Sequence, residues 1–323
     1  MTSAASDNAA TLLRLIDFLS AHRAVTDKLA IEHVYQPAQR VAGNITIGDD
    51  CAAIPDGDDF LLMAAEGILE SFVAEDPWFA GYSSVMVNIS DIAAMGGRPL
   101  AIVDVLWTPD LPASTPIWEG MAAASRAYQV PIVGGHTTLT NASSIHLATA
   151  VVGKAKNLIT SFEACAGDDL LIAVDLRGNY RGDKPFWNAS VTAPEGRLRL
   201  DLELLPRLAE AGWCRVGKDI SNGGVIGTLA MLLQCSGTGA ELWLEEIPRP
   251  SGIELDRWLI SFPSYGFLLS VRPERSAEVA GLFHGRDIAC SRVGIVNESD
   301  GLMLTYGQAR QAFPVRVSRG HGI

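Results

Sequence analysis

The segment VNISDIAAMGG, residues 87–97, places two polar side chains, Asn88 and Asp91, inside a run of apolar residues. Apolar residues recur at helical spacing over residues 79–95, which predicts a helix that ends at the glycine cap Gly96. Residues three apart lie on one helix face, and a carboxylate removed from water without a partner is costly. We therefore expect Asp91 to bind a metal ion, an arginine or backbone N–H groups.

Two other places carry carboxylates near glycine. Asp49 and Asp50 follow Gly48 in IGDDCAAI, where binding a ligand and capping a turn are equally good interpretations. Glu66 ends the apolar strand FLLMAAE, and for a single acid at a strand end the ordinary interpretation is an exposed side chain.

The segment KDISNGG introduces a long apolar helix. Ser221 or Asn222 is a plausible N-cap of that helix, whereas Asp219 lies upstream of the cap and has no such role. The acid is therefore a candidate ligand for a metal ion.

A second glycine pair occurs in IVGGHTT. Gly134 and Gly135 allow the backbone to approach a ligand closely, and His136 and Thr137 follow directly. The segment is neither a Walker loop nor a dinucleotide fingerprint, because GK[ST] and G-x-G-x-x-G are both absent.

Each of these signals is weak by itself, but together they predict oxygen ligands for Mg²⁺. Mg²⁺ commonly bridges one or two carboxylates to the phosphates of a nucleotide, so we expect ATP and Mg²⁺ as cofactors. The net charge of −12 argues against nucleic acid and anionic membranes as partners, because a negatively charged protein does not attract them. Bound cations make an acidic pocket attractive to ATP despite this charge.

Strands and helices alternate around these motifs, which predicts an α/β fold. Among them are the strands PLAIVDVLW and VPIVGGHT and, between these two, the helix PIWEGMAAASRAYQ. The length of 323 residues favours two domains, and the pattern loosens near residue 155. We predict an N-terminal domain of residues 1–155 and a C-terminal domain of residues 156–323.

The five cysteines form no CxxC pair, which is typical of reduced thiols in the cytoplasm. The N-terminal apolar residues are interrupted by charges and predict an amphipathic helix instead of a signal peptide. No run of about 20 apolar residues is present, so no membrane span is expected. We expect a cytoplasmic protein.

The motifs IGDDCAAI, VNISDIAAMGGRP, VGGHTT and KDISNGG, in this order, resemble the ATP-binding superfamily of aminoimidazole ribonucleotide (AIR) synthase. The resemblance covers roughly residues 40 to 300. It is strongest to thiamine-monophosphate kinase, and GGHT also resembles selenophosphate synthetase. The resemblance implies a two-domain α/β fold in which a four-stranded sheet pairs with that of a second subunit to form a barrel, hence a homodimer.

The resemblance also implies roles for single residues. Metal binding is expected of Asp49, Asp50, Glu66, Asp91, Asp219 and Asn222. Nucleotide contacts are expected of Asn88, Gly134, Gly135, Thr137 and Ser221. Asp91 and His136 are the predicted catalytic residues, with His136 as a base or a phosphate ligand; a structural histidine at a strand end is the alternative.

Three departures from the kinase pattern bear on the substrate. The kinase carries aspartates where this chain has His136 and Asn222, and an acidic segment where this chain has FPSYGF, residues 262–267. We therefore predict Mg²⁺-dependent transfer of the γ-phosphate of ATP to a small-molecule acceptor other than thiamine phosphate. The alternatives are a nucleotide-binding sensor or scaffold without catalysis and a dikinase similar to selenophosphate synthetase.

Overall fold

The computed structural model describes residues 2–31, 39, 42–141 and 143–316. The helices in the described residues are α1 (Thr2–Ala21), α2 (Arg23–Ala30), α3 (Glu70–Glu75), α4 (Pro77–Ala94), α5 (Leu111–Tyr128), α6 (Arg197–Leu202), α7 (Leu204–Glu210), α8 (Gly224–Ser236), α9 (Leu255–Leu259) and α10 (Ser276–His284). The strands are β1 (Ala52–Asp56), β2 (Asp59–Ile68), β3 (Arg98–Thr108), β4 (Ile132–Leu139), β5 (His146–Ala155), β6 (Asp169–Val174), β7 (Asn179–Tyr180), β8 (Phe186–Asn188), β9 (Val216–Asp219), β10 (Gly239–Trp243), β11 (Phe262–Pro263), β12 (Gly266–Val271), β13 (Ala289–Asn297), β14 (Gly301–Tyr306) and β15 (Ala309–Arg316).

The chain forms two compact units. The N unit comprises Asp50–Leu158 and Ser190–Glu210, and the C unit comprises Met1–Asp49, Ile159–Ala189 and Ala211–Ile323. Helix α1 belongs to the C unit because its apolar residues, Leu12 and Leu15 among them, join the core of that unit. Helices α1 and α2 therefore group with the C-terminal strands, whereas the sequence pattern placed residues 1–155 together in the N-terminal domain.

The N unit contains a five-stranded sheet in the order β1-β2-β5-β3-β4. The sheet has one strand more than the four expected from the resemblance. Strands β1 and β2 pair as an antiparallel hairpin around Gly57, whose φ is 66°. Strands β3 and β4 are parallel and are connected through α5. The sheet is open in this single chain, and its closure with a second subunit stays a prediction.

Helix α4 confirms the helix predicted over residues 79–95. Its N-cap is Asp76, whose carboxylate accepts a hydrogen bond from the backbone N–H of Phe79 at 3.2 Å. The helix ends before Gly96, whose φ of 72° is the left-handed conformation expected of a glycine cap. The cap ends the helix just beyond Asp91.

Helix α5 begins five residues earlier than predicted. Asp110 is its N-cap and accepts a hydrogen bond from the N–H of Ala113 at 2.7 Å, so Pro116 lies inside the helix and does not start it. Further along the chain, α6 and α7 are separate helices with Glu203 between them.

The C unit contains a seven-stranded sheet in the order β15-β14-β10-β13-β6-β12-β9. Strand β9 lies at one edge and ends at Asp219, from which the chain turns into α8. Helix α8 is almost entirely buried in the core of this unit. Among the described residues, none of the helices has the length and apolar character needed to cross a membrane.

Candidate functional site

In the N unit, Asn88 of α4 fastens the helix to strand β5. Its side chain is wholly buried, and Nδ2 donates hydrogen bonds to Thr149 Oγ1 at 2.8 Å and to the carbonyl of Ser84 at 2.9 Å. Thr149 Oγ1 in turn donates to the same carbonyl at 2.8 Å. Asp91, one turn further along, is 7% exposed, which agrees with the burial that its helical position predicts.

The strands of the N unit bring four residues together in a row across the five-stranded sheet. Register pairs join Glu66 to Thr149, Thr149 to Asp104, and Asp104 to Gly135. Because side chains alternate along a strand, Glu66 lies on the same face as the buried Leu62. We call Glu66, Thr149, Asp104 and Gly135 the polar row; two of its members are predicted site residues.

Asp104 is the member of the polar row that the sequence analysis missed. Its side chain is 1% exposed, and neither carboxylate oxygen accepts a hydrogen bond from another described residue. Burial raises the pKa of Asp104 above its ordinary value, and the residue's own backbone N–H opposes only part of this shift. The available signal was a single acid in the middle of the apolar strand PLAIVDVLW.

The two glycines of the GGHT segment have different surroundings. A Cβ at Gly135 would collide with Oδ1 of Asp104, so this glycine makes room for a carboxylate of the protein itself. A Cβ at Gly134 would meet no atom within 4 Å, which leaves that backbone open to a ligand. The close approach predicted for both glycines is therefore available at Gly134, whereas Asp104 takes the space at Gly135.

The residues of the GGHT segment also divide between the two faces of the sheet. His136 pairs with Val105 and is exposed on the face opposite Asp104, whereas Thr137 follows Gly135 on the face of the polar row. The strand thus separates the predicted catalytic histidine from Gly135 and Thr137. Its role as a base or phosphate ligand stays a prediction.

In the C unit, the KDISNGG segment forms a tight turn between β9 and α8. Gly223 is the N-cap of α8 with φ 88°, so the prediction that Ser221 or Asn222 caps the helix is wrong. The φ values of Gly223 and of Gly224, which is 62°, are left-handed and suit glycine. Gly223 has no side chain to cap the helix, and the first N–H of α8, that of Gly224, donates to the carbonyl of Ser221 at 2.9 Å.

A lysine distant in sequence reaches this turn. Lys28 of α2 is 9% exposed, and its Nζ donates hydrogen bonds to Ser221 Oγ at 2.6 Å and to Thr228 Oγ1 at 3.3 Å. Thr228 Oγ1 donates to the carbonyl of Asp219 at 3.3 Å. The lysine stem passes close to Gly223, where a Cβ would lie 3.4 Å from it.

The sequence analysis also missed Lys28. The signal was a lysine on the inward face of the amphipathic helix α2, where Val25 is its buried neighbour. Lysine is almost never buried unless it is paired, and the hydroxyl groups of Ser221 and Thr228 are partners of Lys28 here.

Asp49 holds two segments of the C unit together. Its two carboxylate oxygens accept hydrogen bonds from the N–H of Ser161 at 2.9 Å and from Ser161 Oγ at 2.7 Å. The metal-binding role expected of Asp49 stays a prediction.

Metal binding by the acidic residues stays a prediction. In the described part of either unit, no three His, Cys, Asp or Glu side chains are arranged to hold a metal ion. Mg²⁺ does not need such a cage, because it is usually bound by one or two carboxylates and completed by phosphate oxygens and water. Asp91 and Asp219, 7% and 3% exposed, are hard oxygen donors of this kind.

Comparison with family models gives two matches. Residues 48–155 match the model described as AIR synthase related protein, N-terminal domain. Residues 185–307 match the model described as AIR synthase related protein, C-terminal domain.

Three curated relatives cover most of this chain. An uncharacterized protein of Synechocystis sp. is 46% identical over 282 residues, which are 86% of this chain and 87% of the relative. An uncharacterized protein of Methanocaldococcus jannaschii is 33% identical over 72% of this chain and 73% of its own length. The thiamine-monophosphate kinase of Haemophilus influenzae is 25% identical over 80% of this chain and 84% of the kinase.

Solved structures share the fold at lower identity. T. maritima PurL complexed with ATP superposes with a TM-score of 0.71 at 21% identity, over 81% of this chain and 45% of PurL, so this chain spans about half of that protein. AaThiL complexed with AMPPCP and TMP gives a TM-score of 0.67 at 19% identity, over 88% of this chain and 95% of AaThiL. These likenesses confirm the predicted two-domain α/β fold.

Proposed function

Because this chain belongs to the AIR synthase related family, we propose that it is an Mg²⁺-dependent enzyme that transfers the γ-phosphate of ATP to a small-molecule acceptor. The turn between β9 and α8 carries the proposal. There a buried ammonium group, that of Lys28, donates to the hydroxyl of Ser221 beside a helix N-terminus. An ammonium group and a hydroxyl are donors of the kind that phosphate oxygens accept from.

Each unit, taken by itself, carries candidate ligands. In the C unit, Lys28 and Ser221 would bind phosphate oxygens, and Asp219 would hold a metal ion. In the N unit, Asp50, Glu66 and Asp91 would hold a metal ion. Mg²⁺, when bound, neutralises charge on the phosphoryl oxygens, and the residues of the chain align the reactants without a protein nucleophile. The nucleotides in the PurL and AaThiL structures support this assignment.

The acceptor in this proposal is a molecule other than thiamine phosphate. The segment that replaces the acidic stretch of the kinase is part of the core, since Tyr265 is 4% exposed and Phe267 is wholly buried. Their rings pack edge to face with centroids 4.9 Å apart. A segment used for packing offers no carboxylate to a cationic thiazolium substrate.

We further propose that the enzyme is a homodimer built on the five-stranded sheet. The face opposite the polar row carries apolar side chains that are partly exposed in the single chain: Val103 at 41%, Trp107 at 39% and Met63 at 51%. Val133 of the edge strand β4 is 62% exposed. Apolar side chains gathered on one face of a sheet favour burial against another protein surface.

ATP consumption with a panel of small-molecule acceptors, followed by ³¹P NMR with and without Mg²⁺, tests the phosphoryl transfer. We expect acceptor-dependent turnover that requires Mg²⁺ and that falls at least about tenfold in Asp219→Asn, because the variant lacks a metal ligand. Arg14→Gln, a change at an exposed position of α1, is the control and should keep wild-type turnover.

Calorimetry with MgATP separates the remaining outcomes. Binding without turnover on any acceptor would favour the nucleotide-binding sensor over the enzyme. If neither Mg²⁺ nor ATP in any combination binds to the wild-type protein, the proposal fails.

A further inference from the structure

The N unit contains a cavity of about 600 Å³ that none of the residues assigned above to phosphate or metal binding lines, although Gly134, Gly135 and Thr137, which the sequence predicts as nucleotide contacts, do line it. Residues of β3, β4 and α5 line it. Among the lining residues, Asp104 and Arg126 are the ionisable ones, and Trp118 offers an indole ring.

Asp104 lies in the wall of this cavity against Gly135, which also lines it. Neither oxygen of this 1% exposed carboxyl group accepts a hydrogen bond from another described residue. Burying a carboxyl group without a partner costs several kcal/mol of its solvation, so a protein that keeps one gains something else from it. A ligand that donates hydrogen bonds would supply the missing partner.

Asn88 has another buried oxygen atom that receives no hydrogen bond from the described residues. Its Oδ1 is buried and accepts no hydrogen bond within the described residues, while its Nδ2 is bound to Thr149, the strand neighbour of Asp104. Three oxygen atoms along one contiguous set of residues, one from Asn88 and two from Asp104, are thus acceptors without donors. Asn88 does not line the cavity, so the acceptors that a ligand there would meet are the two oxygens of Asp104, which call for a hydrogen-bond donor.

Arg126 supplies the opposite charge. It lies in the last turn of α5, is exposed, and makes no ion pair with any described residue. A guanidinium group at the cavity repels a simple cation and attracts a carboxylate or phosphate. The exposed ring of Trp118, 37% accessible, can cover the apolar part of a ligand.

We propose that this cavity binds a small zwitterionic molecule, whose ammonium or amidinium group contacts Asp104 and whose carboxylate or phosphate group contacts Arg126. Gly135 is the residue that permits the arrangement, since any side chain there would displace the Asp104 carboxylate. The site does not depend on the proposed phosphoryl transfer, so it can be tested in the absence of nucleotide.

The probes are ω-amino acids of increasing length, glycine, 4-aminobutyrate and 6-aminohexanoate, with butylamine and butyrate as the singly charged controls. Binding to the full chain is measured by ligand-detected NMR and calorimetry at millimolar concentrations. We expect at least one ω-amino acid to bind more tightly than both controls. Asp104→Asn and Arg126→Gln should each raise its Kd at least about tenfold, while Arg215→Gln, at an exposed position outside the cavity, should leave it unchanged.

Two results would overturn the proposal. The first is that no ω-amino acid binds the wild-type chain. The second is that the Asp104→Asn and Arg126→Gln variants bind the ω-amino acid with the same Kd as the wild type. Arg126 is exposed, so Arg126→Gln remains a valid test if Asp104→Asn does not fold. Because no ATP is present, failure here leaves the phosphoryl-transfer proposal untouched, and the reverse also holds.

Discussion

At the scale of single residues, two buried ionisable side chains stand out, Lys28 and Asp104. Each lies against a glycine, Lys28 beside Gly223 and Asp104 beside Gly135. Burying either side chain costs solvation energy. A neutral residue of similar size could fill the same space without that cost. Residues retained at such a cost are expected to act on ligands, and both can be tested by substitutions that keep their volume.

Replacing Lys28 with methionine should weaken MgATP binding while the fold is kept. Methionine fills the space of the lysine stem but cannot donate to Ser221 or to a phosphate, so we expect Kd to rise at least about tenfold. Lys28→Arg, which keeps the charge, should lose less, and Arg14→Met is a matched control on α1. Calorimetry measures binding, and thermal unfolding checks the fold. Unchanged binding in a folded Lys28→Met would remove the lysine from the nucleotide site.

Asp104 should make the stability of the protein depend on pH. Burial raises its pKa in the folded state above the ordinary 3.8, so between these two values the folded chain holds a proton that the unfolded chain has lost. Stability therefore falls as the pH rises through this window. The asparagine of Asp104→Asn cannot titrate. The free energy of unfolding of this variant, relative to that of the wild type, should therefore increase as the pH rises.

Urea unfolding of both proteins from about pH 4 to about pH 7 measures this difference. Asp17→Asn, at an exposed position of α1, provides the matched comparison. A difference between wild type and Asp104→Asn that is the same at every pH would show that the carboxyl group has partners that offset its burial.

At the scale of elements, the contact between α4 and α5 places Asn88 and Asp91 above the sheet. Two glycines allow the helices to meet backbone to backbone: a Cβ at Gly81 would collide with the carbonyl of Ile117, and one at Gly120 with the carbonyl of Trp78. Since these obstacles are backbone atoms, the helices must separate to accept a side chain at either position.

Gly120→Ala should therefore destabilise the protein, although alanine has the higher helix propensity. We expect a loss of about 1 to 3 kcal/mol in the free energy of unfolding from overpacking. Gly281→Ala in α10 is the matched control, because a Cβ there would meet no atom within 4 Å, and it should gain about 0.5 to 1 kcal/mol. Urea unfolding compares the two; a Gly120→Ala protein as stable as the wild type would show that the helices contact each other less closely.

At the scale of the whole molecule, the outer face of the five-stranded sheet is the surface on which we propose that two chains associate. Its apolar side chains are exposed in one chain, and the edge strand β4 offers unpaired backbone groups beside them. Apolar side chains gathered in this way favour burial against another protein surface, and in the proposed homodimer that surface is the same face of a second copy.

A lysine at the exposed edge of that face should separate the subunits. For the wild type we expect a mass of twice the 34.5 kDa chain in size-exclusion chromatography with light scattering. Val133→Lys should shift it to the mass of one chain, because an ammonium group cannot be buried there without a partner. Leu200→Lys, at a position 56% exposed on α6, is the control and should stay dimeric. A wild-type protein that is monomeric at all concentrations would contradict the dimer.

The amino-acid sequence by itself determined the α/β class, helix α4 with its glycine end, the burial of Asp91 and the family. These features follow from local periodicity, turn chemistry and contiguous motifs, which neighbouring residues along the chain set. Only the tertiary structure placed Lys28 on Ser221, 193 residues away, and set the carboxylate of Asp104 against Gly135. It also put His136 on the opposite face of β4. Such contacts depend on which strands pair and in what register, and a shift of one residue would reverse every side chain, so no local pattern can encode them.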